Sequence, residues 1–432
     1  MRYRSLQLCL AVGAFAAGSA LASTTTDSFA FITGGSRIGL LFSGGAVGVT
    51  LGAFIAAVVA WGVRVPSHRA LAAAVGLVLM GLSAAPWGGE YGVFAAASGA
   101  GLLLGALAAT VPSLAAGHGQ IAVAAGALAG ILCAEPLARM ERESSPRRYV
   151  DYLPASSEPD VVLLVLVAAA VLAVFVLMWQ ADTGTAPTED VRLRGRGVLV
   201  GLVLPAVWLI LHWRFVGSVS GLHGTTVFSG WWWGGLALIP VTLAVAAWIP
   251  GPAAAVLLAG TAVAFVGPSE LAWYTERWWT LLLPVVPAAL GSVVGIRVRR
   301  PWFGIVGLVV VAMTGLVESP AGDNIHRVAV LVLFPLAAAF LIASCLPSEP
   351  TIAVTALMAP AAILVPLSAK YGWTAYAPLQ GKGIAATSSD GHRVSVMVVG
   401  VSIVVLGMGI DWLRRRPAGA PNNPGDDVTA EP

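Results

Sequence analysis

The chain has 432 residues, of which 58% are hydrophobic and only 10% are charged, against about 25% charge in a water-soluble domain. That excludes a soluble globule, and a net charge of +3 without any basic domain excludes a nucleic-acid-binding protein. Runs such as VVLLVLVAAAVLAVFVLMW do not alternate in polarity, which excludes a membrane barrel and leaves an all-α polytopic membrane protein.

A helix crossing ~30 Å of hydrocarbon takes roughly 20 apolar residues. The apolar runs predict fourteen helices, at 5–24, 38–62, 70–86, 92–111, 119–138, 161–180, 197–216, 228–249, 252–267, 277–296, 302–318, 327–346, 351–369 and 393–413. The opening MRYRSLQLCLAVGAFAAGSALAS also fits a cleaved signal peptide, with a basic start and an Ala-Leu-Ala site before Ser23. Retaining it gives an even number of helices and puts both ends on one face.

Charge favours that arrangement. With both termini inside the cytoplasmic membrane, the cytoplasmic side receives Arg2, Arg4, Arg64, Arg69, Arg192, Arg194, Arg196, Arg297, Arg299, Arg300, Arg414, Arg415 and Arg416, thirteen of the 24 basic residues. Once the 139–160 loop is set aside, where four arginines accompany five acidic residues, the tight clusters are all among them, as the positive-inside rule expects. The last residues, PAGAPNNPGDDVTAEP, predict a disordered cytoplasmic tail. Cys9, Cys133 and Cys345 sit in apolar runs without metal-ligand spacing and read as small buried hydrophobes. No cofactor or metal is expected.

The sequence also echoes itself. Gly62 and Arg64 match Gly295 and Arg297 at an offset of 233, GLSAAP at 81–86 meets GLVESP at 234, and Pro112-Ser113 meets Pro347-Ser348 at 235. IAVAA at 121 meets IAVTA at 352, an offset of 231. A near-constant offset pairs helices two to six with ten to fourteen, and by position the first with the ninth, while helices seven and eight have no counterpart. The expected organisation is a six-helix bundle over 1–181, a linker and two extra helices over 182–250, a second six-helix bundle over 251–413, and a tail over 414–432. Duplicated bundles are a common transporter architecture.

In this order of parts the chain resembles the fourteen-helix, drug:proton antiporter-like branch of the major facilitator superfamily. The family's loop after its second helix has the form Gly-x-x-x-Asp-Arg-x-Gly-Arg-Arg/Lys; here Gly62 fits and Arg64 and Arg69 keep the basic character, but Pro66 and Ser67 stand at the Asp and Arg positions. The antiporter motif of the fifth helix, Gly-x-x-x-Gly-Pro-x-x-Gly-Gly, is matched by Gly126 and Gly130, with Ile131 in place of the proline and the final pair absent. The resemblance implies alternating access between two bundles, with Gly62, Arg64, Arg69, Gly295, Arg297, Arg299 and Arg300 in cytoplasmic hinge loops.

Helix-packing glycines recur at four-residue spacing: Gly44, Gly48 and Gly52 in the second helix and Gly101 and Gly105 in the fourth. Such stripes let backbones approach closely in lipid, as a sliding contact between bundles or as static packing. Charges are scarce at mid-span. Asp27 and Glu135, each near the outer end of its helix, are the candidate proton-coupling carboxylates; Arg139 follows Glu135 at ion-pair spacing, and an interfacial position is the other reading for both. His212 and Arg214 lie on a helix outside the repeat, and the clusters Trp231-Trp232-Trp233 and Trp278-Trp279 read as headgroup anchors.

There is no HExxH, GxSxG or P-loop, so no enzyme is expected. The sequence predicts a secondary transporter or exporter of an amphipathic, apolar or lipid-like solute in the bilayer, driven by protons or another ion. A non-transporting envelope-assembly scaffold is the second reading, and a lipid-modifying enzyme acting in the 139–160 loop the third.

Overall fold

The computed structural model describes residues 2–26, 45–85, 92–111, 118–141, 160–180, 191–220, 233–249, 251–266, 278–317, 320–347, 354–355, 357–363 and 389–416. No strand occurs among them. The helices are α1 (Arg2–Thr26), α2 (Ala46–Gly62), α3 (Pro66–Ser83), α4 (Gly92–Thr110), α5 (Gly119–Glu141), α6 (Val161–Gln180) and α7 (Val191–Ser220). They continue with α8 (Leu238–Trp248), α9 (Pro252–Val266), α10 (Leu282–Val298) and α11 (Pro301–Thr314). In α12, Pro320–Val328, a π-helical turn Ala329–Leu333 and Phe334–Cys345 run on without a break. α13 is helical at 354–355 and 357–363, and α14 spans Ser389–Arg415. Short 3-10 turns, Trp233–Ala237 and Trp278–Leu281, lead into α8 and α10.

Each helix falls on one of the fourteen apolar runs, and the bounds shift where local chemistry overrides hydropathy. α3 starts at Pro66 rather than 70, because proline at the first helical position lacks only an N–H that has no partner there. α11 likewise starts on Pro301. α7 reaches back to Val191 through an arginine-rich turn that hydropathy placed outside it. α12 begins at Pro320, seven residues before its apolar run at 327, and its π turn sits just before Pro335, whose nitrogen cannot bond the carbonyl four residues back; the Phe334 N–H bonds Ala329, five back.

Helix pairing repeats along the chain. α4 packs on α1, α2 and α3, and α6 on α1 and α3; eight helices later, α12 packs on α9, α10 and α11, and α14 on α9 and α11. α7 rests on α2, and α8 on α9 and α14. Inner and outer helices differ in burial: in the most apolar windows, 78% of α5 but only 28% of α6 is buried. α6, α10, α11 and α14 expose many large apolar side chains, such as Leu172 and Trp179 of α6, as a lipid-facing surface requires. Among the described residues, eight helices are long and apolar enough to cross a membrane, and four shorter apolar ones accompany them.

Among the described residues, glycines let several helix pairs close tightly, Gly76 of α3 against Gly99 of α4 among them. An added Cβ at Gly101 would strike the Gly52 backbone, and one at Gly105 would lie 2.7 Å from the Ala56 carbonyl oxygen, so α4 touches α2 backbone to backbone. Gly126 and Gly130 of α5 do the same against Ala11 and Phe15 of α1, and Gly291 and Gly295 of α10 against Leu336 and Phe340 of α12.

Candidate functional site: the arginine face and the seam between halves

The α2–α3 and α10–α11 turns, the start of α7 and the ends of α8, α12 and α14 gather on one face. Helix ends leave carbonyls without N–H donors, and on this face arginines supply them. Arg69, in the first turn of α3, is only 7% exposed. Its Nη2 donates to the Arg64 carbonyl at 2.8 Å and its Nε to Val63 at 3.3 Å, locking the turn after α2.

The second hairpin has no such residue of its own, because glycine, Gly304, occupies the corresponding place three residues after Pro301. Its lock comes from α14: Arg414 donates to the Arg299 carbonyl at 3.0 Å and to Ser344, at the end of α12, at 2.7 Å. Arg299 itself takes a left-handed conformation (φ 51°), ending α10 with its N–H on Gly295. Two further arginines cap α8: Arg196 of α7 donates to Trp248 at 3.3 Å, and Arg416 donates to Ala247 at 3.1 Å.

The residues expected in the hinge loops therefore divide. Arg64, Arg297, Arg299 and Arg300 are exposed at the turns. Gly62 is the last residue of α2, with no atom near an added Cβ, whereas Gly295 is buried inside α10, where an added Cβ would lie 2.6 Å from the Phe340 carbonyl oxygen. The Gly62–Gly295 match is thus one of sequence and not of environment, because α10 runs on past its glycine to Val298. Gly48 and Gly52 face α4 within the first half rather than the other half. Gly44 and Asp27 lie outside the described residues.

Between the halves, α5 packs on α10, on α12 and on the turn Trp278–Leu281. Cys133 of α5 is buried with its sulfur 3.9 Å from the Leu281 carbonyl oxygen, at the end of the molecule opposite the arginine face. Glu135 stands half-buried two residues further along α5, just before Pro136 within the helix. His212 is buried and Arg214 exposed, both on α7. Trp278 and Trp279 are exposed at the start of the α10 segment.

Interior hydroxyls spend their hydrogens locally. Thr50, Thr110, Thr261, Ser292 and Ser402 each donate to the carbonyl four residues back in their own helix. Among the described residues, Arg69 is the one arginine, lysine or carboxylate that is buried. Most buried side chains among the described residues are apolar, with Gln120 and His212 as the buried amide and imidazole.

The same fold is found in solved transporter structures. The chain is similar to the xylose transporter XylE from E. coli in its inward-open conformation, with a TM-score of 0.51 and 15% identity over 96% of this chain and 96% of that one. It is equally similar to XylE in a partially occluded inward-open conformation, with a TM-score of 0.50 and 15% identity over 96% of this chain and 98% of that one. No family model matches the sequence, and no curated protein matches it.

Proposed function

We propose that the protein is a secondary transporter that moves an amphipathic or apolar solute across the cytoplasmic membrane by alternating access, as a fourteen-helix member of the facilitator group. The observation that carries this reading is the seam. Two halves with the same internal pairing meet through α5 against α10 and α12, a geometry in which one half can rock on the other without unpacking its own glycine-sealed pairs. The halves are taken as 1–181 and 251–413, with 182–250 as the extra pair and its linker and 414–432 as a tail. Both termini and the arginine face are placed in the cytoplasm.

A mostly apolar interior selects the solute. Hydroxyls already bonded to their own helices offer no donors to a sugar or peptide, whose polar groups would be buried without partners at a cost in free energy. The structural similarity to a xylose transporter concerns the fold, and the solute proposed here is different in class. Protons are the proposed coupling ion, with Glu135 and Asp27 as the carboxylates that change charge.

One observation favours the scaffold reading instead: every residue of α9 from Ala253 to Phe265 is buried, so this central helix opens no wall to a pathway in the conformation described. Flux decides. Purified protein in proteoliposomes, tested with a panel of amphipathic dyes with and without an imposed proton gradient, is expected to show protein-dependent flux that the gradient accelerates. Absence of flux across the panel under both conditions favours the scaffold. Unchanged gradient dependence in Glu135→Gln and Asp27→Asn would remove those carboxylates from coupling while leaving transport itself intact.

A further inference from the structure

The C-terminus of α8 is short of donors by sequence. The helix ends at Trp248 and is followed by Ile249-Pro250-Gly251-Pro252; Ile249 bonds Val245, but neither proline has an N–H, and Gly251 turns the chain with φ +80°. Two neighbouring carbonyls, Ala247 and Trp248, are left for other donors, and two arginines take them, Arg416 from α14 and Arg196 from α7.

That arrangement brings two cations together. Each guanidinium has five N–H groups, of which the bond to the helix end uses one. Each also lies over an indole, Arg196 at 5.2 Å from the Trp248 ring centre and Arg416 at 3.8 Å from that of Trp412. The ion pair formed nearby, Arg415 with Asp411 at 2.6 Å, involves neither. Both arginines are exposed, and the two rings are about half exposed, at 46% for Trp248 and 49% for Trp412. Exposed indoles mark headgroup depth, and paired guanidinium forks fit the oxygens of a phosphate.

We propose that Arg196 and Arg416, beside Trp248 and Trp412, form a binding site for the phosphate of an anionic phospholipid at the junction of α7, α8 and α14. The rings place the site against the bilayer, which selects a lipid rather than a soluble phosphate. A bound headgroup offsets the repulsion between the two guanidiniums and ties α7, which rests on the first half, to α8 and α14 of the second. Basic pockets between helices on the cytoplasmic side suit such headgroups.

The test uses the full-length protein in neutral detergent, with thermal unfolding followed after adding phosphatidylglycerol, phosphatidylcholine or inorganic phosphate. Phosphatidylglycerol is expected to raise the midpoint by several degrees in the wild type and by less than half as much in R196Q/R416Q, and native mass spectrometry is expected to show one fewer retained lipid. R64Q/R300Q, which removes the same charge from the same face, is expected to keep the full shift. The proposal is overturned if R196Q/R416Q keeps the full shift, if R64Q/R300Q loses as much of it, or if inorganic phosphate or phosphatidylcholine alone reproduces it. If the double variant does not purify as a single species, R196Q and R416Q are tested singly with the same outcomes.

Discussion

Arg414 on α14 holds the Arg299 carbonyl in the α10–α11 turn at 3.0 Å while its other terminal nitrogen holds Ser344 at the end of α12. One side chain thus joins three helices at the arginine face. Arg414→Gln removes both bonds from a partly solvated site, and about 1–2 kcal/mol of stability is expected to go with them. Arg69→Gln, in a buried setting, is expected to cost more, about 2–3 kcal/mol. Thermal unfolding of the two variants in one detergent checks the order.

Gly62 and Gly295 separate sequence likeness from packing. Alanine at Gly295 drives its Cβ toward the Phe340 carbonyl and into the Ala343 side chain, and a loss of about 1–3 kcal/mol is expected. Alanine at Gly62 meets nothing within 4 Å and is expected to be neutral or to gain up to about 1 kcal/mol. Equal midpoints for the two variants would refute the assignment of Gly295 to the α10–α12 contact.

How far the sequence reaches follows from what kind of contact each feature needs. Helix positions are legible because lipid demands long apolar runs, whereas spaced echoes such as Arg64 and Arg297 are likenesses of sequence. Gly126 and Gly130 stand out by spacing, though the helix they touch does not. The arginine caps are not legible as such: Arg414 meets carbonyls 70 and 115 residues away, and Arg416 one 169 residues away. No local pattern encodes such distances. IPGP after α8 is the available signal, since two prolines announce carbonyls in need of remote donors. Gly291 escapes a reading that puts Gly295 in a loop, because the two form one stripe only once α10 continues past both.

Trp208 presents a different imbalance. It is 5% exposed, its indole nitrogen has no hydrogen-bond partner, and it borders a small apolar cavity with Leu204, Leu257 and Pro360. Trp208→Phe deletes the unsatisfied donor at the cost of some volume, so its unfolding midpoint is expected to match or exceed the wild type. Trp208→Ala enlarges the cavity and is expected to cost about 3 kcal/mol or more. A loss for phenylalanine as large as that for alanine would mean that the nitrogen does have a partner.

The central claim is that the halves move against each other at the α5–α10 seam, and a cross-link there tests it most directly. In Leu281→Cys, with Cys9 and Cys345 replaced by alanine, a short bifunctional thiol reagent joins position 281 to Cys133, its neighbour across the seam. Dye flux in proteoliposomes is expected to fall at least tenfold on cross-linking and to return when a cleavable linker is reduced. Flux that continues unchanged through a fully cross-linked seam would contradict the account.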